Sequence, residues 1–273
     1  MWKLIKMDFY RLFTSKTIKV GALMACLVCG GYMLLSLGVV ELGKYAMDTD
    51  PSMIPSISFL LSQVAWVEGV NFSEIVFAAS AAFALFIGCM ITSGFIGSEQ
   101  ACGYAKNYAG QLHNKGYMAI SKFVVTSLAQ AMVLLIYVAV SAVLAMVLFG
   151  RYITGYDIST LVAALGLRLV LHLAINAIII FICTLTKSHA IAMVVGCIFG
   201  IGVTRFVYMA ASMLLSVAKI NFPIGDYMPD GINSALSLDA VGEMTGKAIL
   251  VSVAFIVVFM AANVIVLRKR DVK

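Results

Sequence analysis

Three ionisable residues, Arg168, His172 and Arg205, lie inside long apolar stretches of the sequence, where a charge is costly. Arg168 and His172 are four residues apart, so both lie on one face of a helix. If that face lines a cavity, it favours an anionic or polar group, and the three residues are candidates for a translocation pathway. The alternative is structural. The arginines then pair with acids such as Glu68 or Glu74 or extend to the membrane surface, and His172 is a hydrogen-bonded packing residue.

Sequence signatures of catalysis are absent from the chain. There is no G-x-x-x-x-G-K-[ST] phosphate loop and no H-E-x-x-H zinc motif, and no pair of carboxylates falls in the middle of an apolar stretch. Gly97-Ser98 has no histidine placed to act as a base. Cys26 and Cys29 form a C-x-x-C pair, but no histidine or second pair completes a metal site. We therefore expect no catalytic residue, no metal site and no cofactor bound by this chain itself.

The composition places the chain in a membrane. Hydrophobic residues make up 62% of the 273 residues, charged residues make up 12%, and the mean hydropathy is +1.03. A water-soluble globule could not bury so much apolar surface. Six apolar runs of about 20 residues each nearly use up the chain, which leaves no room for a soluble catalytic domain. We predict one all-α transmembrane domain over 1–273, with spans at about 18–40, 74–97, 122–149, 159–185, 190–217 and 247–267.

The distribution of charge predicts the orientation of these spans. Thirteen of the nineteen Lys and Arg residues fall in segments on one side of the predicted spans, and ten of the thirteen Asp and Glu residues fall on the other. By the positive-inside rule the basic side is cytoplasmic, so both termini are expected there. The net charge of +6 then reflects contact with anionic lipid and does not indicate nucleic-acid binding. The run from Val20 to Val40 is too long for a cleavable signal and is interpreted as the first span.

The N-terminal segment has its own pattern. Leu4/Ile5, Phe9 and Leu12/Phe13 recur at helical spacing beside several lysines. This pattern predicts an amphipathic interfacial helix over residues 1–17, lying on the inner leaflet. The alternative is a basic flank without regular structure.

The stretch after the second span carries the most specific motif in the sequence. Glu99 closes that span, Gly103 and the pair Lys106-Asn107 follow, and Ser121-Lys122 opens the third span. These residues resemble the loop in permease subunits of the type 2 ATP-binding-cassette exporters. The amphipathic start of the chain and its six-span layout resemble the same family.

The resemblance implies partners and a role for the loop. A separate cytoplasmic ATPase would bind ATP and Mg²⁺, and a second permease, identical or related, would complete the pathway. Glu99, Gly103, Lys106 and Asn107 are the expected coupling residues, in a short helix over 99–111 whose exposed side chains seat in the ATPase. The alternative is an ordinary solvated loop. The family further implies a bacterial cytoplasmic membrane and export of an antimicrobial peptide, bacteriocin or drug.

Two other functions stay open. A stand-alone carrier or channel would transport without ATP, although proton- or sodium-coupled carriers normally need a carboxylate within the membrane, and here the acids cluster in the predicted outer segments. A non-transport membrane protein, such as a receptor or an assembly subunit, would transport nothing under any energy source.

Overall fold

The computed structural model of the chain describes residues 2–48, 70–81, 83–102, 116–151, 153–217 and 222–269. Most of these residues are helical, and the strands in this part of the chain are very short. The elements in chain order are α1 (Trp2–Thr14), α2 (Lys16–Asp48), β1 (Val70–Asn71), α3 (Phe72–Ala81), α4 (Ala84–Ala101), α5 (Gly116–Phe149), β2 (Ile153–Gly155), α6 (Ile158–Thr186), α7 (His189–Ile201), α8 (Thr204–Val217), a 3-10 turn (Ile224–Tyr227), α9 (Pro229–Ala235) and α10 (Val241–Lys269).

The predicted all-α, multi-pass architecture is confirmed. Five stretches are long and apolar enough to cross a membrane, and the pair α7 and α8 makes a sixth if it is counted as one bent span. The five stretches are Lys16–Leu42, Phe72–Glu99, Gly116–Phe149, Ile158–Thr186 and Val241–Lys269. Each exceeds the roughly 20 residues needed to cross the hydrocarbon core. α6 lies among the other helices and contacts α3, α4, α5, α7, α9 and α10.

The second span is the most interior one, as its small residues predict. In the stretch Phe72–Glu99, 75% of the most apolar window is buried, against 56% or less in the other four stretches. Close helix packing explains this burial: a Cβ at Gly200 of α7 would meet the backbone of Phe86 on α4. The stretch consists of α3 and α4, with Phe83 between them in the left-handed region at φ 60°.

The fifth span is not the continuous helix predicted over residues 190–217. It is broken into α7 and α8, whose axes meet at 75°. The physical reason is Gly202, which has φ 78° and donates its N–H to the carbonyls of Ile198 and Phe199, so that α7 ends in a left-handed cap. A side chain at this position would strain that backbone, and glycine avoids the strain. α8 then begins at Thr204 in a new direction.

Two sets of contacts define the ends of the bundle. At one end, called the sheet end, β1 pairs in parallel with β2, and the Ser73 hydroxyl accepts the backbone N–H of Asp157 at 2.9 Å. At the other, called the charged end, Glu99 of α4 meets Lys122 of α5. The helices α4 and α6 therefore run from the sheet end toward the charged end, and α5 runs the opposite way. The basic side predicted to be cytoplasmic corresponds to the charged end.

Polar caps fix the ends of α6. The Asp157 carboxylate accepts the backbone N–H of Thr160 before the first turn, and Lys187 adopts the left-handed conformation with φ 55° after the last one. Ser188 then caps α7 by accepting the N–H of Ile191. α6 and α7 are thus joined by a two-residue turn, as the sequence predicts for the fourth and fifth spans.

Candidate functional site

A buried ion pair joins the end of α4 to the start of α5. The Lys122 Nζ lies 2.8 Å from Glu99 Oε1, and the Glu99 side chain is 0% exposed. The Arg11 Nη1 of α1 lies 3.4 Å from the other carboxylate oxygen, Oε2. A carboxylate at a helix end inside a membrane protein is costly unless it is paired. Glu99 has two cations against it, one from each neighbouring helix.

A second buried carboxylate, Asp8 of α1, completes this charged cluster. The Ser121 hydroxyl donates to Asp8 Oδ2 at 2.6 Å, and Arg11 Nη1 lies 3.3 Å from Asp8 Oδ1. Burial raises the pKa of Asp8 most, and the nearby charge of Glu99 raises it further. The hydrogen bond from Ser121 and the charges of Lys122 and Arg11 act in the opposite direction but do not cancel the rise.

The cluster ties three segments that are far apart in sequence. Among the described residues it holds two carboxylates and two cations, which balance in charge, and the guanidinium of Arg11 also lies 5.2 Å from the ring centroid of Phe95. Removing one partner of a buried pair leaves an uncompensated charge, at a cost of about 3–5 kcal/mol. The cluster therefore joins α1, α4 and α5 at the charged end.

The predicted N-terminal helix exists, but its contact face differs from the predicted apolar stripe. The buried residues of α1 are Leu4, Asp8 and Leu12, each four residues from the next, whereas Phe9 is exposed. α1 therefore turns an acidic side chain toward the bundle between two leucines. The spacing of Leu4, Asp8 and Leu12 was the sequence signal for this face. The sequence did not identify Asp8 or Arg11 as part of a functional site.

The structure describes one of the four predicted coupling residues, Glu99. Glu99 lies in the last turn of α4, which ends at Ala101, and its side chain is buried. Gly103, Lys106 and Asn107 lie outside the described residues. Glu99 therefore lies at the end of α4 and does not itself present an exposed surface. A role for these four residues in coupling stays a prediction.

Arg168 is buried in the bundle at 1% exposure and does not reach the surface of the protein. Its Nη1 donates to the Phe77 carbonyl at 2.7 Å and to the Ser80 hydroxyl at 2.6 Å, both on α3. Its guanidinium carbon lies 3.7 Å from the centroid of the Phe77 ring, a cation–π contact. Glu74, one of the acids considered as a partner, is exposed. Glu68, the other, lies outside the described residues.

The other two pathway candidates lie in different environments. His172 is buried one turn beyond Arg168 on the same face of α6, and its Nδ1 makes no hydrogen bond. Arg205 is exposed near the start of α8. The structure thus places Arg168 and His172 together inside one chain and Arg205 on its surface. Their assignment to a translocation pathway stays a prediction.

A further polar residue, Asn176, continues the face of α6 that carries Arg168 and His172. Its Oδ1 accepts from the Thr92 hydroxyl of α4 at 2.7 Å, and its Nδ2 donates to the Thr126 hydroxyl of α5 at 2.9 Å. One amide therefore ties three helices together in the interior. Sequence reasoning missed Asn176, although its spacing of four from His172 was visible.

Within the described part of the chain, no group of three or more His, Cys, Asp or Glu side chains is arranged to hold a metal ion. Comparison of the sequence with models of known protein families, and with curated proteins, gives no match.

Proposed function

We propose that this chain is the membrane-spanning permease subunit of an ATP-driven exporter of the ATP-binding-cassette type. In this proposal it forms the pathway with a second permease and is powered by separate cytoplasmic ATPase subunits, which bind ATP and Mg²⁺. The substrate class that the family resemblance suggests is an antimicrobial peptide, bacteriocin or drug. The bacterial cytoplasmic membrane, with both termini inside, is part of the same proposal.

The charged cluster is the observation that supports this proposal best. ATP-driven transport needs a rigid element that carries a push from the ATPase to the spans. Residues 103–115, which lie outside the described residues, connect the end of α4, two residues after Glu99, to the start of α5 at Gly116, six residues before Lys122. Because Glu99 and Lys122 are paired and buried, a force on the segment between α4 and α5 moves both helix ends as one unit. Arg11 extends the unit to α1.

The exposed side chains of α1 support an interfacial position at the cytoplasmic side. Trp2, Tyr10, Lys3 and Lys6 are exposed, while the opposite face packs on α5. Aromatic rings and lysines of this kind favour the headgroup region and anionic lipids. The helix therefore combines a lipid-facing side with a bundle-facing side that carries Asp8 and Arg11 of the charged cluster.

Purification of the tagged chain from its native membrane in a gentle detergent, with mass spectrometry of its partners, tests the proposal. We expect a phosphate-loop ATPase in stoichiometric amount and either one permease species or two. If the chain is recovered alone or only with itself, ATP coupling is wrong. Reconstitution of the purified chain without ATP then separates a carrier or channel, which transports, from a non-transport protein, which does not.

A further inference from the structure

We infer that α8 is an interfacial helix, which lies nearly parallel to the membrane in the leaflet at the sheet end and places its exposed apolar face among the acyl chains of phospholipids. In the proposed orientation this is the outer leaflet. The inference does not depend on ATP coupling, because it rests on the break between α7 and α8 and on the packing of α8.

The first observation is the arrangement of side chains around α8. One face packs against the 3-10 turn and α9, and polar groups lie on this face. The Tyr208 hydroxyl donates to Asp230 Oδ1 at 2.9 Å, and Ser212 accepts a backbone N–H of the 3-10 turn at 3.3 Å. A helix that faces water has its apolar side turned inward, whereas α8 has it turned outward. Six large apolar side chains are each more than half exposed: Phe206, Val207, Met209, Met213, Leu214 and Val217.

The second observation is the depth at which α8 begins. At the start of α7, His189 lies against Gly97 of α4, close to the charged end. Near the end of α7, Gly200 lies against Phe86, which comes earlier on α4. α7 therefore runs alongside a spanning helix in the opposite direction. Its 13 residues cover about 20 Å, so it ends about 10 Å before the far boundary of a hydrocarbon core that is about 30 Å thick.

The third observation is the direction of α8. Because α7 follows a spanning helix and α8 is bent from it by 75°, α8 lies close to the plane of the membrane. Its 14 residues are about 21 Å long, of which only about 5 Å is directed across the membrane. α8 thus lies about 5–10 Å below the headgroup boundary, which is the depth to which an interfacial helix buries its apolar face.

The 3-10 turn that packs on α8 lies at this boundary. Lys247 and Arg268 of α10 are 21 residues apart, about 32 Å along a helix, which matches the thickness of the hydrocarbon core. The Lys247 Nζ lies 3.4 Å from Asp226 of the turn and 4.7 Å from the ring centroid of Tyr227. Phe222 stacks on that ring with 4.9 Å between the centroids. Lysines and aromatic rings of this kind are typical of the membrane boundary, so α8 lies just beneath it.

The charge of α8 fits the same position. Arg205 is the one charged residue in its sequence, and it is exposed in the first turn of the helix. At this depth an arginine keeps its methylene groups among the acyl chains and extends its guanidinium to the lipid phosphates. Phospholipid therefore matches both the apolar face and the single cation of α8.

Fluorescence quenching by brominated lipids tests the depth of α8. The two tryptophans of the chain, Trp2 and Trp66, are replaced by phenylalanine, and the full-length chain is reconstituted into phosphatidylcholine vesicles. One tryptophan is then introduced at a time: Leu214→Trp on the exposed face of α8, Val257→Trp on the exposed face of α10, or Ser237→Trp between α9 and α10.

Two of these variants calibrate the depth. Val257 lies ten residues after Lys247, near the centre of the bilayer, and Ser237 is exposed before α10 begins. We expect Leu214→Trp to lose most fluorescence with lipid brominated near the headgroup. Val257→Trp should lose most with lipid brominated near the chain ends, and Ser237→Trp should lose little with either.

Two results overturn the inference. If Leu214→Trp is quenched in the same pattern as Val257→Trp, α8 crosses the core of the bilayer. If neither lipid quenches Leu214→Trp, this face lies in water or is covered by protein, such as a second copy of the chain. Met213→Trp, at the adjacent exposed position, gives the same comparison where Leu214→Trp is not recovered folded.

Discussion

The ammonium of Lys122 lies 2.8 Å from the carboxylate of Glu99, and both side chains are buried where α4 ends and α5 begins. The residues are 23 apart in sequence, and the segment between them is the one that resembles a coupling element. The pair joins the two helix ends. The stability of the protein and its retention of an ATPase should therefore depend on this pair.

Lys122→Met should destabilise the protein because it leaves Glu99 buried with Arg11 as the remaining cation in the described cluster. We expect a loss of about 3–5 kcal/mol in the free energy of unfolding. Denaturation in detergent measures this. Asp226→Asn is the control, because it breaks the exposed pair with Lys247, 3.4 Å apart, and should cost less than about 1 kcal/mol. Similar losses in the two variants would show that the Glu99 pair contributes no more than a surface pair.

Ser121→Ala should also destabilise the protein, through Asp8. It removes the 2.6 Å hydrogen bond to a buried carboxylate, and bonds to charged groups contribute about 1.5–3 kcal/mol. Ser127→Ala on the same helix is the matched control, since the Ser127 hydroxyl is buried without a hydrogen-bond partner. We expect the control to leave the midpoint of unfolding almost unchanged. If both serine variants behave alike, the bond to Asp8 is not stabilising.

The raised pKa of Asp8 predicts how stability depends on pH. Because the folded protein binds this proton more tightly than the unfolded chain does, the contribution of Asp8 to stability is full below the ordinary pKa of 3.8. It is lost as the pH rises from 3.8 through the raised pKa. Other acids titrate in this window, so the readout is the difference between the wild type and Asp8→Asn. That difference should change across the window, and parallel curves would contradict the prediction.

Gly202→Ala and Gly246→Ala should change stability in opposite directions. Gly202 has φ 78°, and alanine there is strained by about 1 kcal/mol or more. Gly246 lies inside α10 with open space around its Cα, so alanine should stabilise the helix by about 0.5–1 kcal/mol. Thermal unfolding of both variants measures the signs. A stabilised Gly202→Ala would show that the break between α7 and α8 does not need a left-handed residue.

The orientation can be tested with thiols. Cys102 is exposed at the charged end, and Tyr156 is exposed at the sheet end. A membrane-impermeant maleimide should label Cys102 only from the cytoplasmic side. In a variant with Cys102→Ser and Tyr156→Cys, it should label the new cysteine only from outside. The reverse pattern would place the termini outside.

The sequence predicted the helices well because an apolar run of the required length leaves few alternatives in a membrane. It also placed Glu99 at the end of the second span and Ser121-Lys122 at the start of the third, but it did not predict that Glu99 and Lys122 are in contact. It did not show that Asp8 is buried. A helical wheel ranks positions by hydrophobicity and contains no information about a hydrogen-bond partner on another helix, here Ser121. The partner of Arg168 was also out of reach, since a backbone carbonyl 91 residues away carries no sequence signal. The break at Gly202 was missed because one glycine in an apolar run is common in membrane helices.

The most direct test of the central claim is the amount of ATPase that a tagged chain retains through purification from the native membrane. We predict a stoichiometric ATPase with the wild type, little with Glu99→Lys at equal chain abundance, and wild-type retention with Asp226→Asn, which breaks only the exposed pair with Lys247. Equal retention in all three would contradict a coupling role for the Glu99–Lys122 pair. Absence of an ATPase from the wild type itself would contradict the exporter.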